Sequence, residues 1–313
     1  MTLTVTTAAP KTRLTTVARV KAELGITAST DDTLLGDLVD RASAAIVSYC
    51  HRVFAREAVY ETTGGYGDIN LQLSRTPIAG TPSSVYQNAN STGTGNLLTD
   101  WSIGDRIRGW LYRRAGWTWT AQRWGGLMAQ GGFLNDGWPL ANQEEPQFQV
   151  SYVGGYLMPE QNLTAITISA ASADNSFNDS GGGFPTLTQA GDVLIVSGFA
   201  TAANNGAFVV TGTPTTSKIV VTSTLVTEAA TPSVTIQFQN LPADLEKACI
   251  DTAKFFYLKR KDDPTVVEKQ LNVARLRFGG VSGDLMGHPE GLPASVIGLL
   301  RPWVRSICRS TRR

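Results

Sequence analysis

The sequence predicts an α+β protein: a small α-helical bundle core with a β-rich extension and an inserted all-β domain of barrel or sandwich type. Three observations carry this. Residues 14–54 and 241–263 read as amphipathic helices. Residues 57–160 mix short alternating stretches with glycine-rich and aromatic ones. Residues 162–239 hold one Lys, no Arg and no Trp, and are written in strand and turn residues. That block carries Asp174, Asp179, Asp192 and Glu228 against Lys218, a net of −3, so the remainder carries +4 within a chain at +1.

The first helix is expected from Thr16 to Leu24. Thr15 or Thr16 can cap it, Val17, Val20 and Leu24 share a face, and Gly25 suits the left-handed stop. Ser29 to Asp32 offer a second N-terminus with negative charge at the positive helix end. From there Leu34, Leu35, Leu38, Val39, Ala42, Ala45, Ile46, Tyr49 and Val53 make an apolar stripe over five turns.

In the extension, INLQLSRTPI alternates at Ile69, Leu71 and Leu73 and stops at Pro77. QFQVSYVGGY alternates at Phe148, Val150 and Tyr152 and stops at paired glycines. Between them lies an aromatic and basic segment, 101–124, followed by a Gly-rich stretch; six of the seven tryptophans fall in 101–138, which makes this segment the compositional outlier. In the insert, LTAITISA, DVLIVSGF, GAFVVTG, SKIVVTS and SVTIQF are expected strands separated by turn residues. Five or six strands in so short a block suit a small barrel or sandwich.

The helical pattern returns at 241–263, with Pro242 in the first turn. Leu245, Cys249, Thr252 and Phe256 lie on one face, flanked by Ala248 and Phe255. Asp244 and Glu246 open this helix and Lys254, Lys259, Arg260 and Lys261 close it, as the helix dipole favours. Asp263–Pro264 ends it. A short apolar helix and a basic tail follow.

At 313 residues, 42% hydrophobic and 17% charged, the chain can bury sizeable cores. Its near-zero net charge argues against a dedicated nucleic-acid binder. No run approaches the roughly 18 apolar residues of a spanning helix, and the N-terminus lacks the apolar core of a signal peptide. Of Cys50, Cys249 and Cys308, the first two fall near apolar stripes and read as reduced core thiols.

Catalytic signatures are lacking. The two histidines, His51 and His288, are far apart, and His51 sits where a helix C-terminus favours a cation. There is no HExxH, paired CxxC or GxSxG. GGYGDI at 64–69 lacks the Gly-Lys-Ser/Thr of a phosphate loop and reads as a turn between strands. The acidic pairs Asp31–Asp32 and Asp262–Asp263 are explained by caps and turns, and nothing makes Glu144–Glu145 a catalytic dyad. No enzyme activity, cofactor or metal is expected.

The Trp/Arg segment admits three readings: fold-building core, a subunit interface, or stacking on nucleic acid. Arg106, Arg108, Trp110, Arg113, Arg114, Trp117 and Trp119 are the candidates for a subunit interface. Near the C-terminus Leu292, Val296, Leu299, Leu300 and Trp303 form a strip at near-helical spacing, accompanied by Arg301, Arg305, Arg309, Arg312 and Arg313. A strip this short orders against a surface, either its own body or a partner.

LTTVARVKAELGI, followed by TDDTLLGDLVDRASAAIVSYCHRVF, resembles the paired N-terminal helices of the head–tail connector (adaptor) proteins of long-tailed bacteriophages. LQLSRTPIAGTPSSV resembles that family's short strand and RTPI turn. YVGGYLMP with LPADLEKACIDTAKFFYLKR is similar to its entry into the last long helix. The resemblance implies a connector domain of residues 1–161 and 240–313, with 162–239 as an inserted β domain like those in several phage virion proteins. It further implies a structural ring, usually of twelve copies, beneath the portal in the virion neck. Such a ring extends the DNA channel, with genomic DNA passing without sequence-specific binding, and offers a platform to the tail or a tail-stopper protein. The implied partners are other copies of the chain, the portal protein, reached through Leu292, Val296, Leu299, Leu300, Arg301, Trp303 and Arg305, and the tail-completion protein. No membrane is involved. The competing expectations are a tail or decoration protein built around the β domain, and a nucleic-acid binder using 101–124.

Overall fold

The computed structural model describes residues 2–65, 67–87, 95–118, 147–238, 241–260, 268–271, 274–277 and 292–305. Trp119, Arg123, Trp124, Trp138, Glu144, Glu145, Lys261, Asp262, Asp263, Pro264, His288, Cys308, Arg309, Arg312 and Arg313 lie outside the described residues. The mixed α+β class is what the structure shows, in two compact units. One comprises 1–10, 56–156 and 163–236, the other 11–55, 157–162 and 237–313.

The first unit is all β. A five-stranded antiparallel sheet runs in the order β1-β2-β8-β4-β5, from β1 (Thr2–Thr7), β2 (Glu57–Gly64), β8 (Gln147–Gly154), β4 (Ile78–Gln87) and β5 (Asn96–Leu97). Period-two alternation turns Phe148, Val150 and Tyr152 inward, as expected from sequence, where they meet Val59, Ile78 and Val85. A three-stranded sheet, β3 (Asn70–Gln72), β7 (Trp110–Arg113) and β6 (Trp101–Asp105), adds Leu71 and Leu111 to the same core. Leu73 is also buried there, whereas Ile69 is half exposed.

Strand β1 and the β6–β7 hairpin were not assigned as strands from sequence. Thr-rich β1 is too polar to register as a buried strand, and the hairpin's period is masked by its arginines. The hairpin turn is made by Asp105, whose carboxylate accepts from the Ile107 and Arg108 amides at 2.9 and 3.0 Å. It closes at Gly109, whose φ of +74° excludes most residues and whose Cβ would lie 2.2 Å from a Thr76 methyl carbon.

Six strands close a barrel in the order β10-β13-β12-β11-β14-β9. They are β9 (Leu163–Ala171), β10 (Ser176–Asn178), β11 (Val193–Ser197), β12 (Gly206–Thr211), β13 (Lys218–Val221) and β14 (Glu228–Phe238). Every strand expected in this block appears, and β10, too short for a sequence signal, completes the ring. Leu194, Val196, Phe208, Val210, Ile219 and Val221 alternate inward. Phe177 centres the barrel core, edge-on to Phe208 at 5.2 Å and stacked with Phe199 at 5.7 Å.

The second unit is helical. Helix α1 (Val17–Leu24) is capped by Thr16, whose hydroxyl accepts from the Arg19 amide at 3.3 Å, and ends at Gly25 with φ +68°. Helix α2 (Asp32–Cys50) buries Leu35, Leu38, Val39, Ala42 and Ile46 and ends at His51 in the left-handed region. Helix α3 (Ala243–Lys259) buries Leu245, Ala248, Cys249, Thr252 and Ala253, and packs against α1 and α2. Phe256, expected on that buried face, is only half-buried. A short helix, α4 (Ala294–Leu300), lies against α3. Strands β15 (Glu268–Leu271) and β16 (Ala274–Arg277) pair only with each other among the described residues.

Candidate interaction surfaces

Three places collect candidate side chains. The first is the three-stranded sheet built from the Trp/Arg segment. The register pairs Leu71 with Leu111 and Leu111 with Ile103, which sets one face toward the core; Asn70, Tyr112 and Ser102 align on the other, with Gln72 and Trp110. The seven candidate residues therefore separate by face.

Trp117 is wholly buried, edge-on to Phe148 with centroids 5.0 Å apart, and its indole N–H donates to the Ile69 and Leu111 carbonyls at 3.1 and 3.2 Å. It is core mass, unavailable for stacking or docking. Arg113 lies over the same ring at 6.0 Å and ion-pairs with Asp100 at 2.9 Å. Arg106 donates to the Gly80 carbonyl. Arg108 covers the Trp110 ring at 5.2 Å and keeps two thirds of its side chain exposed. Trp110, Tyr112, Arg108 and Arg114 thus make an aromatic and basic outer surface. Trp119 lies outside the described residues.

The second place is the C-terminal segment. Leu292, Val296 and Leu300 are buried in the helical unit and Leu299 is half buried. The Arg305 amide donates to the Cys50 carbonyl at 3.0 Å, and the Arg52 guanidinium sits 5.3 Å from the Phe54 ring centre and 5.9 Å from that of Trp303. Of the candidate portal contacts, the apolar strip thus packs on its own body. Arg301 is exposed, with Trp303 and Arg305 partly so.

The third place is a buried polar network around the RTPI turn, which sequence reading missed. Glu61 on β2 is fully buried and its carboxylate accepts from the Ser74 amide at 2.9 Å, the Ser74 hydroxyl at 2.7 Å and the Tyr152 hydroxyl at 2.6 Å. Tyr152 in turn accepts from the Arg75 amide at 2.9 Å, and Arg75 pairs with Glu57 at 2.8 Å. Burial first, then the Glu61 charge, pushes the Tyr152 hydroxyl far above the usual phenol range. The Thr76–Pro77 peptide is cis. Three donors aimed at one carboxylate hold a turn in shape. The sequence gives little signal for it, because Glu61 sits in a strand that also carries Glu57, Thr62 and Thr63.

In the helical unit, Arg13 holds Asp40 through two hydrogen bonds of 2.6 and 2.7 Å and keeps that carboxyl below its usual range. Glu246 is partly buried, which raises it despite the opposing Arg19 at 2.6 Å. Cys50 and Cys249 are both buried, and desolvation pushes the Cys249 thiol up to about 12. Among the described residues no group of His, Cys, Asp or Glu side chains could hold a metal ion. An open groove beside β4 is lined mainly by hydroxyl and apolar side chains, among them Ser84, Val85, Leu97 and Trp101, together with Arg106. No described helix is long and apolar enough to cross a membrane.

Residues 14–76 match the family of phage gp6-like head–tail connector proteins; the match spans α1, α2, β2, β3 and the start of the RTPI turn. No curated protein matches the sequence. Among solved structures, the chain is similar to one from the neck of an empty gene transfer agent particle computed with C6 symmetry, at 13% identity, full coverage of both chains and a TM-score of 0.44. It is also similar to one from the neck of the native particle with C12 symmetry, at 14% identity, full coverage of both and a TM-score of 0.43. A third, from the native particle's virion, has 14% identity, covers 97% of this chain and 95% of the other, and gives a TM-score of 0.39.

Proposed function

We propose that this protein is a structural subunit of a virion neck. Copies of it would form a ring, of twelve in the usual family plan, seated beneath the portal and extending the DNA channel toward the tail. The observation that carries the reading is the connector match over 14–76, which covers the helical pair and the turn that the Glu61 network rigidifies. A ring subunit needs two different patches that meet. The outer face bearing Arg108, Trp110, Tyr112 and Arg114 is a candidate for one of them. For the portal, the available contacts are Arg301, Trp303 and Arg305, since Leu292, Val296 and Leu300 are committed to the chain's own core. DNA passing through the lumen needs no base contacts, and tight phosphate binding would impede it.

We further propose that 162–239 is a module added to a connector body of 1–161 and 240–313, displayed for contact with another virion component. The protein would be made in the host cytoplasm and would need no catalysis. Electron microscopy of the purified chain with its portal tests the reading: rings on the portal vertex are expected. A chain that stays monomeric alone and fails to bind the portal overturns it.

A further inference from the structure

The two edges of the five-stranded sheet are treated differently. At the β4–β5 edge, β5 is two residues long, Pro82 lacks an amide hydrogen, the pairing register breaks between Ala79 and Ser84, and Arg106 occupies the Gly80 carbonyl. These are the devices by which proteins keep strand edges from pairing with other chains. At the other edge, β1 has six residues, TLTVTT, with no charge and no proline. The first charged residue is Lys11. Only a bulge between Val5 and Thr7 interrupts it, and Thr2, Thr4 and Val5 are exposed. Its outer row of backbone donors and acceptors has no strand among the described residues.

The β15–β16 hairpin pairs Glu268 with Arg277 through Leu271 with Ala274, and both its outer edges are without a strand among the described residues. A lone two-stranded hairpin is marginal in water and needs a third strand or a packing face. Its length, four residues per strand, fits within the six of β1.

We infer that the hairpin Glu268–Arg277 of one copy adds as an antiparallel extension to the outer edge of β1 in a neighbouring copy. The contact joins two different parts of the chain, so it is heterologous and propagates around a ring instead of closing a two-fold pair. Main-chain hydrogen bonds would supply the adhesion, and β1 brings no charged side chain to the contact. The inference rests on the ring reading above, and adds which segments meet.

The test uses full-length protein with Thr4 replaced by p-benzoylphenylalanine, prepared as an equal mixture of isotopically heavy and light copies, assembled with the portal and irradiated. Heavy–light crosslinks between position 4 and residues 268–277 are expected, and Thr4→Lys should reduce ring yield at least tenfold while circular dichroism stays unchanged. Rings that form normally with crosslinks only within one copy, to another β1 or to the portal overturn this contact and leave the ring reading standing. Failure of the unmodified chain to form rings on the portal overturns both.

Discussion

Arg56 and Asp192 form a bidentate ion pair at 2.6 and 2.9 Å, with only 4% and 7% of their side chains exposed. Arg56 leads into β2, and Asp192 immediately precedes β11 of the barrel. The guanidinium also donates to the Gly155 and Leu187 carbonyls at 3.2 and 3.1 Å, while the carboxylate accepts from the Gln189 amide at 2.8 Å. The barrel is therefore fastened to the sheet at its root by a satisfied buried charge pair. Beside it, a Cβ at Gly80 would meet the Gln189 side chain at 2.7 Å.

Breaking this pair from one side should be costly, because the other charge stays buried. Arg56→Ala or Asp192→Asn should lower stability by about 3–5 kcal/mol, whereas the double change Arg56→Met with Asp192→Leu should recover most of it. Thermal unfolding of the three variants checks this.

The same pair governs excision of 162–239. Replacing that block with a Gly/Ser linker leaves Arg56 without its carboxylate. The deletion should give a soluble chain that still binds the portal, but one with a reduced melting temperature that Arg56→Met partly restores. Loss of folding in both versions would show that the barrel shares the body's core.

Tyr152→Phe removes a donor to buried Glu61 and an acceptor for the Arg75 amide. It should cost about 1.5–3 kcal/mol, the range for a hydrogen bond to a charged group. Urea denaturation measures the loss, and a change below a few tenths would mean water replaces the hydroxyl.

The Trp/Arg segment should separate by face. Trp117→Ala should destabilise by about 3–5 kcal/mol as a core truncation. Arg108→Ala and Arg114→Ala should stay within about 0.5 kcal/mol of the parent, as exposed positions do. If the outer face is a subunit contact, these two together with Trp110→Ala should lower ring yield in negative-stain images at unchanged monomer fold.

Cys249 should resist iodoacetamide at neutral pH until the chain unfolds. Its thiol is raised to about 12 in the folded state from an ordinary value near 9. The folded state thus keeps a proton that the unfolded chain releases, so this contribution is complete below about pH 9 and is lost as pH rises toward 12. Mass-spectrometric labelling against pH, with and without urea, reads it directly.

The sequence by itself determined the locally encoded elements. The stripe from Leu35 to Ile46, the Thr16 cap and the Gly25 stop specify α1 and α2, because each signal lies within a few residues of what it controls. The same holds for alternation in β8 and the barrel strands, and the connector resemblance rested on these patterns. What only the tertiary structure decided is partnership. Whether Trp117 is core or surface depends on Phe148, thirty-one positions away in the sequence. Leu292, Val296 and Leu300 read equally well as a docking strip until α3 is placed beneath them. Glu61 is a stable buried carboxylate only because Ser74 and Tyr152 converge on it, and Arg56 is a fastener only because the barrel brings Asp192 to it. Burial and charge pairing are long-range properties, set by which segments meet in space, and no period in a single chain segment encodes them.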